Sequence, residues 1–362
     1  VGVGERPRIL HLAAPAEPAP TDRPARRRRL DTSDLSVGCC RACISATRDE
    51  FDHEVLIVGG SVAERRVFGM GLTTPNRVCP PGGVAALARR SVSRFVRRRG
   101  GFACVHCWGG GLIPAIPSRT PTVVSGFGAP VKPGGDALAI VSGDALARAW
   151  ADRGWRVVQT RTPVVEHCAA RNEARALLGA GASSTVIALL ADPPAAGEAR
   201  RFVLALGAFS LLHPDVVGVI PAGATQLARA LSLHRHAGID WRLVVRDEPA
   251  DRWLAAADLA VHAPRADGQT VDTGTASLVA SAHAAGIPVV STLLAGEGLA
   301  LPQAALAGSS VPADLTCALL RVWEDPERGA IARARGADAA GSMDEYVRAV
   351  RDEWLAAVGS AR

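Results

Sequence analysis

Aromatic side chains make up only 4% of the 362 residues, and tyrosine occurs once. So small a supply excludes the stacked aromatic platforms that hold single-stranded nucleic acid. Long apolar runs are missing as well: none approaches the ~18 residues a membrane-spanning helix requires. The first apolar stretch, Ile9 to Ala14, is short and soon broken by proline and charge, so it is not read as a secretory leader. Cysteine is sparse, and 8 in a chain this long do not make a disulfide framework. Cys39, Cys40 and Cys43 cluster, and Cys104-x-x-Cys107 has metal or redox spacing with His106 between. No second pair answers it, since Cys79, Cys168 and Cys317 stand singly. The histidines provide no i,i+4 metal pair enclosing a carboxylate, and there is no P-loop, nucleophile elbow or Cys/His dyad. The expectation is reduced, buried thiols in a cytoplasmic protein, with no metal and no cofactor.

What is present suits α/β layers. Hydrophobic residues reach 48%, mostly Ala, Val and Leu, and the length allows two domains with separate cores. Net charge is +6, carried almost wholly by arginine, which favours polyanionic partners: nucleotide donors, anionic membrane surfaces or nucleic acid. Strands are expected at Arg8–Leu12, Glu54–Val58, Ala103–His106, Thr122–Ser125 and Leu138–Ser142, with helices at Gly38–Asp49, Val84–Val96 and Asp144–Asp152. Between the first strand and helix, the Pro/Arg-rich segment 13–34 reads as a loop. A second alternation begins at Thr185–Leu190. It continues through a helix at Ala195–Leu212, a strand at Val216–Ile220, a helix at Ala224–Ala237, a strand at Trp241–Val245 and a short helix at Asp251–Ala256. Three helices end the chain (Leu315–Glu324, Glu327–Arg335 and Met343–Val358). Two successive alternations imply two Rossmann-like domains, 1–168 and 169–342, with residues 343–362 as a final helix.

The chain is organised around Ala257 to Thr292, ADLAVHAPRADGQTVDTGTASLVASAHAAGIPVVST. It reads as a buried strand (Leu259–His262), a polar loop, a small-residue helix and a second strand (Pro288–Ser291). Thr273 and Thr275 are candidate N-caps, and Gly286 before Pro288 is a helix stop. A polar loop leading into a helix start offers backbone N–H groups to an anion, above all a phosphate.

This block resembles the C-terminal half of the GT-B glycosyltransferases, most closely the retaining family four, which reads AD-x-x-x-P-S…E-G-F-G-x4-E-A-M-A-x-G-x-P-V-V. Ala257, Asp258 and Pro264 match its start; Gly286, Pro288, Val289 and Val290 match its end. The resemblance runs from Arg8 to Val358. It implies two Rossmann-like domains facing a cleft, the last helix crossing back to the N-terminal domain, a nucleotide-sugar donor and no metal. The two glutamates of the E-x7-E signature are replaced by Thr273 and Ser281, with Asp272 one step away. Asp272 either serves in place of the first glutamate, if the loop slips by one residue, or caps its helix.

Other positions are carried over in the same way. His106 matches the first histidine of the family's D-V-V-H-x-H strand end, Trp108 replaces the second, and Gly109 and Gly110 allow close backbone approach to a ligand. Gly38 matches a loop glycine near the donor phosphates, with Cys39 where a second glycine is usual. In the family's G-R…K-G pair the arginine position falls on or beside Asp192, and the lysine position on Ala196. An aspartate there would repel a diphosphate. Arg200 and Arg201, one turn on, are the substitutes, unless they are solvated helix arginines. The implied catalytic residues are therefore His106, Asp272 and Thr273. The implied donor-binding set is Gly38, Gly109, Gly110, Arg200, Arg201, Gly274, Thr275, Ala276, Ser277 and Ser281.

The leading expectation is a glycosyltransferase acting on an unknown glycan, lipid or small-molecule acceptor. Its rival is a catalytically lapsed GT-B protein kept as a binding or scaffolding subunit. Residues 84–99, a basic amphipathic helix, allow peripheral contact with an anionic membrane, or simply cover a sheet with an arginine face in water. Nucleic acid is the weakest partner class, because no recognisable module accompanies the arginines.

Overall fold

The computed structural model describes residues 6–13, 34–58, 76–78, 85–108, 116, 120–126, 132–133, 137–142, 144–164, 170–192, 197–237, 241–248, 250–264, 273–292, 305–309 and 311–360. The chain forms two compact α/β units, Val1–Pro163 together with Gly341–Arg362, and Val164–Ala340.

In the first unit the strands are β1 (Arg8–Ala13), β2 (Asp52–Val58), β3 (Asn76–Val78), β4 (Phe102–Trp108), β5 (Thr122–Ser125), β6 (Ala137–Ser142) and β7 (Arg156–Thr160). They pair in parallel in the order β3-β2-β1-β4-β5-β6-β7. Side chains alternate along a strand, so Leu10, Leu12, Val105 and Cys107 enter one core while His11, Cys104, His106 and Trp108 face the other side. That core contains Val92 and Val96 of α2 (Ala85–Arg99) and Trp150 of α3 (Asp144–Ala151). The opposite face is covered by α1 (Asp34–Thr47), which buries Leu35, Cys39, Cys40, Cys43 and Ile44 at helical spacing.

The second unit repeats the scheme. After β8 (Thr162–Pro163) come α4 (Arg171–Leu178), β9 (Thr185–Leu189), α5 (Ala199–Ser210), β10 (Val216–Pro221), α6 (Leu227–His236) and β11 (Arg242–Arg246). Two 3-10 turns (Ala250–Arg252 and Leu254–Ala256) lead into β12 (Leu259–His262), α7 (Thr273–Ala284), β13 (Val289–Thr292), β14 (Leu306–Ala307), α8 (Pro312–Glu324) and α9 (Arg328–Ala339). The parallel order is β11-β10-β9-β12-β13-β14. Ile187, Leu189, Leu259 and Val261 pack with α5 and α8 on one face. Val186, Ala188, Leu190 and Ala260 pack with α4 and α7 on the other. Small Ala188 and Ala260 let the small-residue helix lie close to the sheet.

The last helix, α10 (Met343–Ser360), belongs to the first unit, as the resemblance implied. Ser342 caps it, its hydroxyl accepting from the Glu345 N–H at 3.1 Å, and Asp344 and Glu345 favour the positive end of the helix. It buries Tyr346, Val347, Val350 and Trp354 beside α1.

Some elements differ from expectation. Arg156–Thr160 forms the half-exposed edge strand β7 and Thr162–Pro163 the strand β8, both within the first unit, and the second unit starts at Val164. Two- and three-residue strands such as β14 and β3 are too short for periodicity to register. The short helix expected at 251–256 is a pair of 3-10 turns.

Candidate functional site

In the second unit β9 and β12 are neighbours, and the chain leaves them toward opposite faces, into α5 and α7. That reversal is the topological switch point of a doubly wound sheet, where a crevice opens beyond the carboxyl ends of the strands. Asp192 lies on the β9 side and the first turn of α7 on the β12 side. The two touch. The Asp192 N–H donates to Thr275 Oγ1 at 3.1 Å, and both residues are buried. A Cβ added to Gly274 would sit 2.5 Å from the Asp192 carbonyl oxygen and 2.6 Å from its Oδ2. Glycine is therefore required here by the approach of Asp192, whose carboxylate rests on the start of α7.

Thr273, Gly274, Thr275 and Ala276 are the first four residues of α7, whose N–H groups have no partner four residues back in the helix. The partial positive charge of that end favours an anion, and the chain supplies one in Asp192. Ser277 and Ser281 share a buried helix face, and the Ser281 hydroxyl donates to the Ser277 carbonyl at 2.8 Å. Asp272 and the Thr273 side chain lie outside the described residues.

The neighbouring helix start is also capped from within. The Glu198 carboxylate accepts from the N–H groups of Arg200 and Arg201 at 3.2 and 3.1 Å, and Glu198 is buried. Arg201 does not project freely: its guanidinium lies 3.4 Å from Glu198 and donates to the Pro264 carbonyl at 2.9 Å. Arg200 is exposed. Gly197 bridges to Pro264, and a Cβ on it would meet Ala191 at 2.8 Å. The Arg201 contact with the Pro264 carbonyl joins residues 63 apart and is beyond sequence reasoning, whereas the Glu198 cap is legible as an acidic residue opening a helix.

In the first unit the proposed catalytic His106 is fully buried, with both ring nitrogens engaged. An indole N–H can only donate, so Trp354 Nε1, 3.1 Å away, fixes Nδ1 of His106 as an acceptor. The Nε2–H then donates to Ser125 Oγ at 2.8 Å, and Ser125 meets the Tyr346 hydroxyl. A parallel chain starts at Trp108, which donates to His11 Nδ1 at 3.1 Å. His11 Nε2 donates to His53 Nδ1 at 3.0 Å, and His53 Nε2 to Thr47 Oγ1 at 3.1 Å. These bonds require neutral imidazoles. Burial agrees, lowering His106 to about 3 and His53 to about 4, while burial and its two histidine neighbours push His11 well down. His106 thus offers a substrate neither lone pair nor proton without losing one of these bonds; it acts as a joint between the sheet and α10.

Gly38 is the fifth residue of α1, not part of a loop before it, so its N–H belongs to the helical ladder. The helix starts four residues earlier than expected, at Asp34. Gly109 and Gly110 lie outside the described residues. The C-x-x-C spacing falls on β4, where residues three apart point to opposite faces, so Cys104 and Cys107 do not converge. Burial pushes the Cys104 thiol up to about 12. Among the described residues no group of three or more His, Cys, Asp or Glu side chains could hold a metal ion. Nor is any described helix long and apolar enough to cross a membrane. The apolar face of α2 is consumed by the unit's own core, and Arg90, Arg94, Arg97 and Arg98 are exposed.

Asp258 of the Ala-Asp motif proves structural. Its carboxylate accepts the Val186 N–H at 2.8 Å and pairs with Arg175 at 3.3 Å and with Arg171, tying β9 and α4 to the entry of β12.

No protein-family model and no curated protein matches the chain in sequence. Solved structures do match in shape. HepE from Anabaena, crystallised with UDP and glucose, superposes with a TM-score of 0.68 at 14% identity, covering 97% of this chain and 100% of its own. Sucrose-phosphate synthase from Thermosynechococcus elongatus gives 0.64 at 12%, covering 99% and 100%. A UDP-GlcNAc 2-epimerase from Neisseria meningitidis, bound to UDP-GlcNAc, gives 0.66 at 10%, covering 96% and 99%. With its two parallel, doubly wound α/β units and its returning last helix, the chain has the GT-B fold.

Proposed function

We propose that this chain is a glycosyltransferase-like protein that engages a nucleotide-sugar donor on its second unit. The observation that carries the reading is the contact of the β9 end with the start of α7 at the switch point of a GT-B sheet. Structures of the same fold crystallised with UDP, UDP-glucose and UDP-GlcNAc support it. In this reading the N–H groups of Gly274, Thr275 and Ala276 face the donor diphosphate, and exposed Arg200 is the cation nearest in sequence to the β9 end. The first unit takes the acceptor. The ADLAV…AGIPVV block supports a family-four-like, retaining stereochemistry, with Thr273 and Ser281 at the two signature positions.

A second reading, a lapsed transferase retained as a binding or scaffolding subunit, is favoured by Asp192 and Glu198. A departing diphosphate needs positive charge around it. Here both helix starts beside the switch point already hold a carboxylate. Two unit charges 4 Å apart repel by about 4 kcal/mol at an effective dielectric constant of about 20, enough to offset a large part of a donor's binding energy.

A panel of UDP- and GDP-sugars in thermal-shift titrations, followed by assay of nucleotide release, separates the two. Stabilisation with release of UDP or GDP supports transfer. Stabilisation without release supports the lapsed subunit. A melting temperature unmoved by every donor at millimolar concentration overturns both.

A further inference from the structure

His262 is the last residue of β12, and the Leu190 N–H donates to the Val261 carbonyl at 2.8 Å, so the imidazole stands where the central strands end. Side chains alternate along a strand, and Ala260, two residues earlier, packs into the layer of α4 and α7. His262 faces that layer, as does its register partner Ser291, two residues beyond Val289 on β13. The two side chains meet: His262 Nδ1 lies 3.0 Å from Ser291 Oγ. Ser291 is fully buried, and among the described residues its hydroxyl has no second partner. A proton on Nδ1 would leave the Ser291 O–H sealed in the interior without an acceptor. The arrangement of lower energy has Ser291 donating to Nδ1, which puts the ring hydrogen on Nε2. Burial lowers His262 to about 4, so the ring is neutral at pH 7.

Nε2 is the outer end of the ring. It meets no polar group among the described residues. Nor is it sealed from solvent: among the described residues the sealed side-chain nitrogen and oxygen atoms without a partner are Arg246 Nε and Thr292 Oγ1. His106 has both ring nitrogens engaged within the fold, whereas His262 keeps one N–H open on a side chain only 3% exposed. That N–H stands at the carboxyl end of a strand flanking the switch point, where a doubly wound sheet receives its ligand.

We propose that His262 contacts the ligand of the second unit, its Nε2–H donating to an uncharged acceptor oxygen of a nucleotide sugar, a hydroxyl or a base carbonyl. Ser291 is the positioning residue that keeps the hydrogen on Nε2. The contact rests on reading the second unit as the donor side. A neutral N–H lacks the charge that holds a phosphate strongly, which separates this contact from the diphosphate position at the start of α7.

The test exploits side-chain shape: the amide of asparagine reproduces the Nδ1 end of an imidazole, and that of glutamine the Nε2 end. UDP, UDP-glucose, GDP and GDP-mannose are titrated calorimetrically into the native chain, His262→Asn and His262→Gln, with melting temperatures recorded. His262→Asn is expected to keep the bond to Ser291 and a near-native melting temperature, and to bind about tenfold more weakly. His262→Gln is expected to bind within about threefold of the native chain. A loss seen with the free nucleotide as well places the acceptor oxygen on the nucleoside, and a loss confined to the nucleotide sugar places it on the sugar. Equal binding by the native chain and His262→Asn overturns the proposal while the donor reading stands. Equal loss in both variants does the same, since it marks packing alone. A native chain that binds none of the four overturns the contact together with the donor reading. Side-chain nitrogen NMR of the native chain decides the matter if neither variant folds. An Nε2–H tautomer that shifts on adding the nucleotide sugar, and is no longer the single form in Ser291→Ala, is expected. An Nδ1–H tautomer, or a signal indifferent to every ligand that binds, overturns the proposal.

Discussion

Asp258 shows how a residue that looks functional in sequence can hold the fold instead. Its carboxylate joins a backbone N–H of β9 to two arginines, and Arg175, which it faces, is buried. Replacing Asp258 with alanine leaves that guanidinium without its counter-charge. Arg175 keeps its bonds to the carbonyls of Ala256, Gly181 and Ser184. Breaking a buried pair by removing one partner typically costs about 3–5 kcal/mol, and the retained bonds place this variant at the low end. Urea unfolding is expected to show a lower midpoint with an unchanged slope. A midpoint equal to that of the native chain would contradict the assignment. Gly286 teaches the converse, that some residues declare themselves locally. Its φ of +75° is open to glycine at little cost, and the N–H groups of Gly286 and Ile287 close the end of α7 on the carbonyls of His283 and Ala282.

At the scale of elements, α10 is held by the buried polar chain through Trp354, His106, Ser125 and Tyr346, beside a second chain through Trp108, His11 and His53. Both require uncharged imidazoles. The folded-state values, about 3 for His106 and about 4 for His53, lie below the unfolded value of 6.5. The unfolded chain therefore binds the extra protons. Stability is complete above pH ~6.5 and falls as pH drops toward 4, by up to about 1.4 kcal/mol per pH unit for each histidine. Urea midpoints measured at pH 8, 7, 6 and 5 are expected to be level in the first pair and to decline across the second. A level series down to pH 5, where most carboxylates are still ionised, would mean the imidazoles are not held neutral. The glutamate–arginine pair between Glu50 and Arg351 also joins α10 to the end of α1, and that hydrogen bond holds the Glu50 carboxyl below its ordinary range. It is too open to water to rival the buried network.

For the molecule as a whole, the returning helix makes the first unit discontinuous: its last 22 residues are separated from the rest by the entire second unit. Each unit has its own core, so damage to one need not spread. Trp354→Ala empties a fully buried indole site and removes the donor to His106, a loss on the order of 3–5 kcal/mol. Hydrogen exchange should then accelerate in β4, α1 and α10, while β9, β10 and β12 keep their protection. Equal acceleration in both units would show that they unfold together.

The sequence by itself determined the layer architecture, because the unbroken apolar runs of β9 and β12, buried along their whole length, and the helical spacing in α1 are local patterns that follow from backbone geometry. It also determined the stop at Gly286. Tertiary structure alone decided what the polar residues do. His106 has the type and place of a catalytic group. Whether its nitrogens meet a substrate or an indole depends on Trp354, 248 positions away in the chain. Likewise Asp192 could be read as an anion where a cation is usual, but its seat on Gly274 joins segments 82 residues apart, and no local pattern encodes a contact between a strand end and a distant helix start.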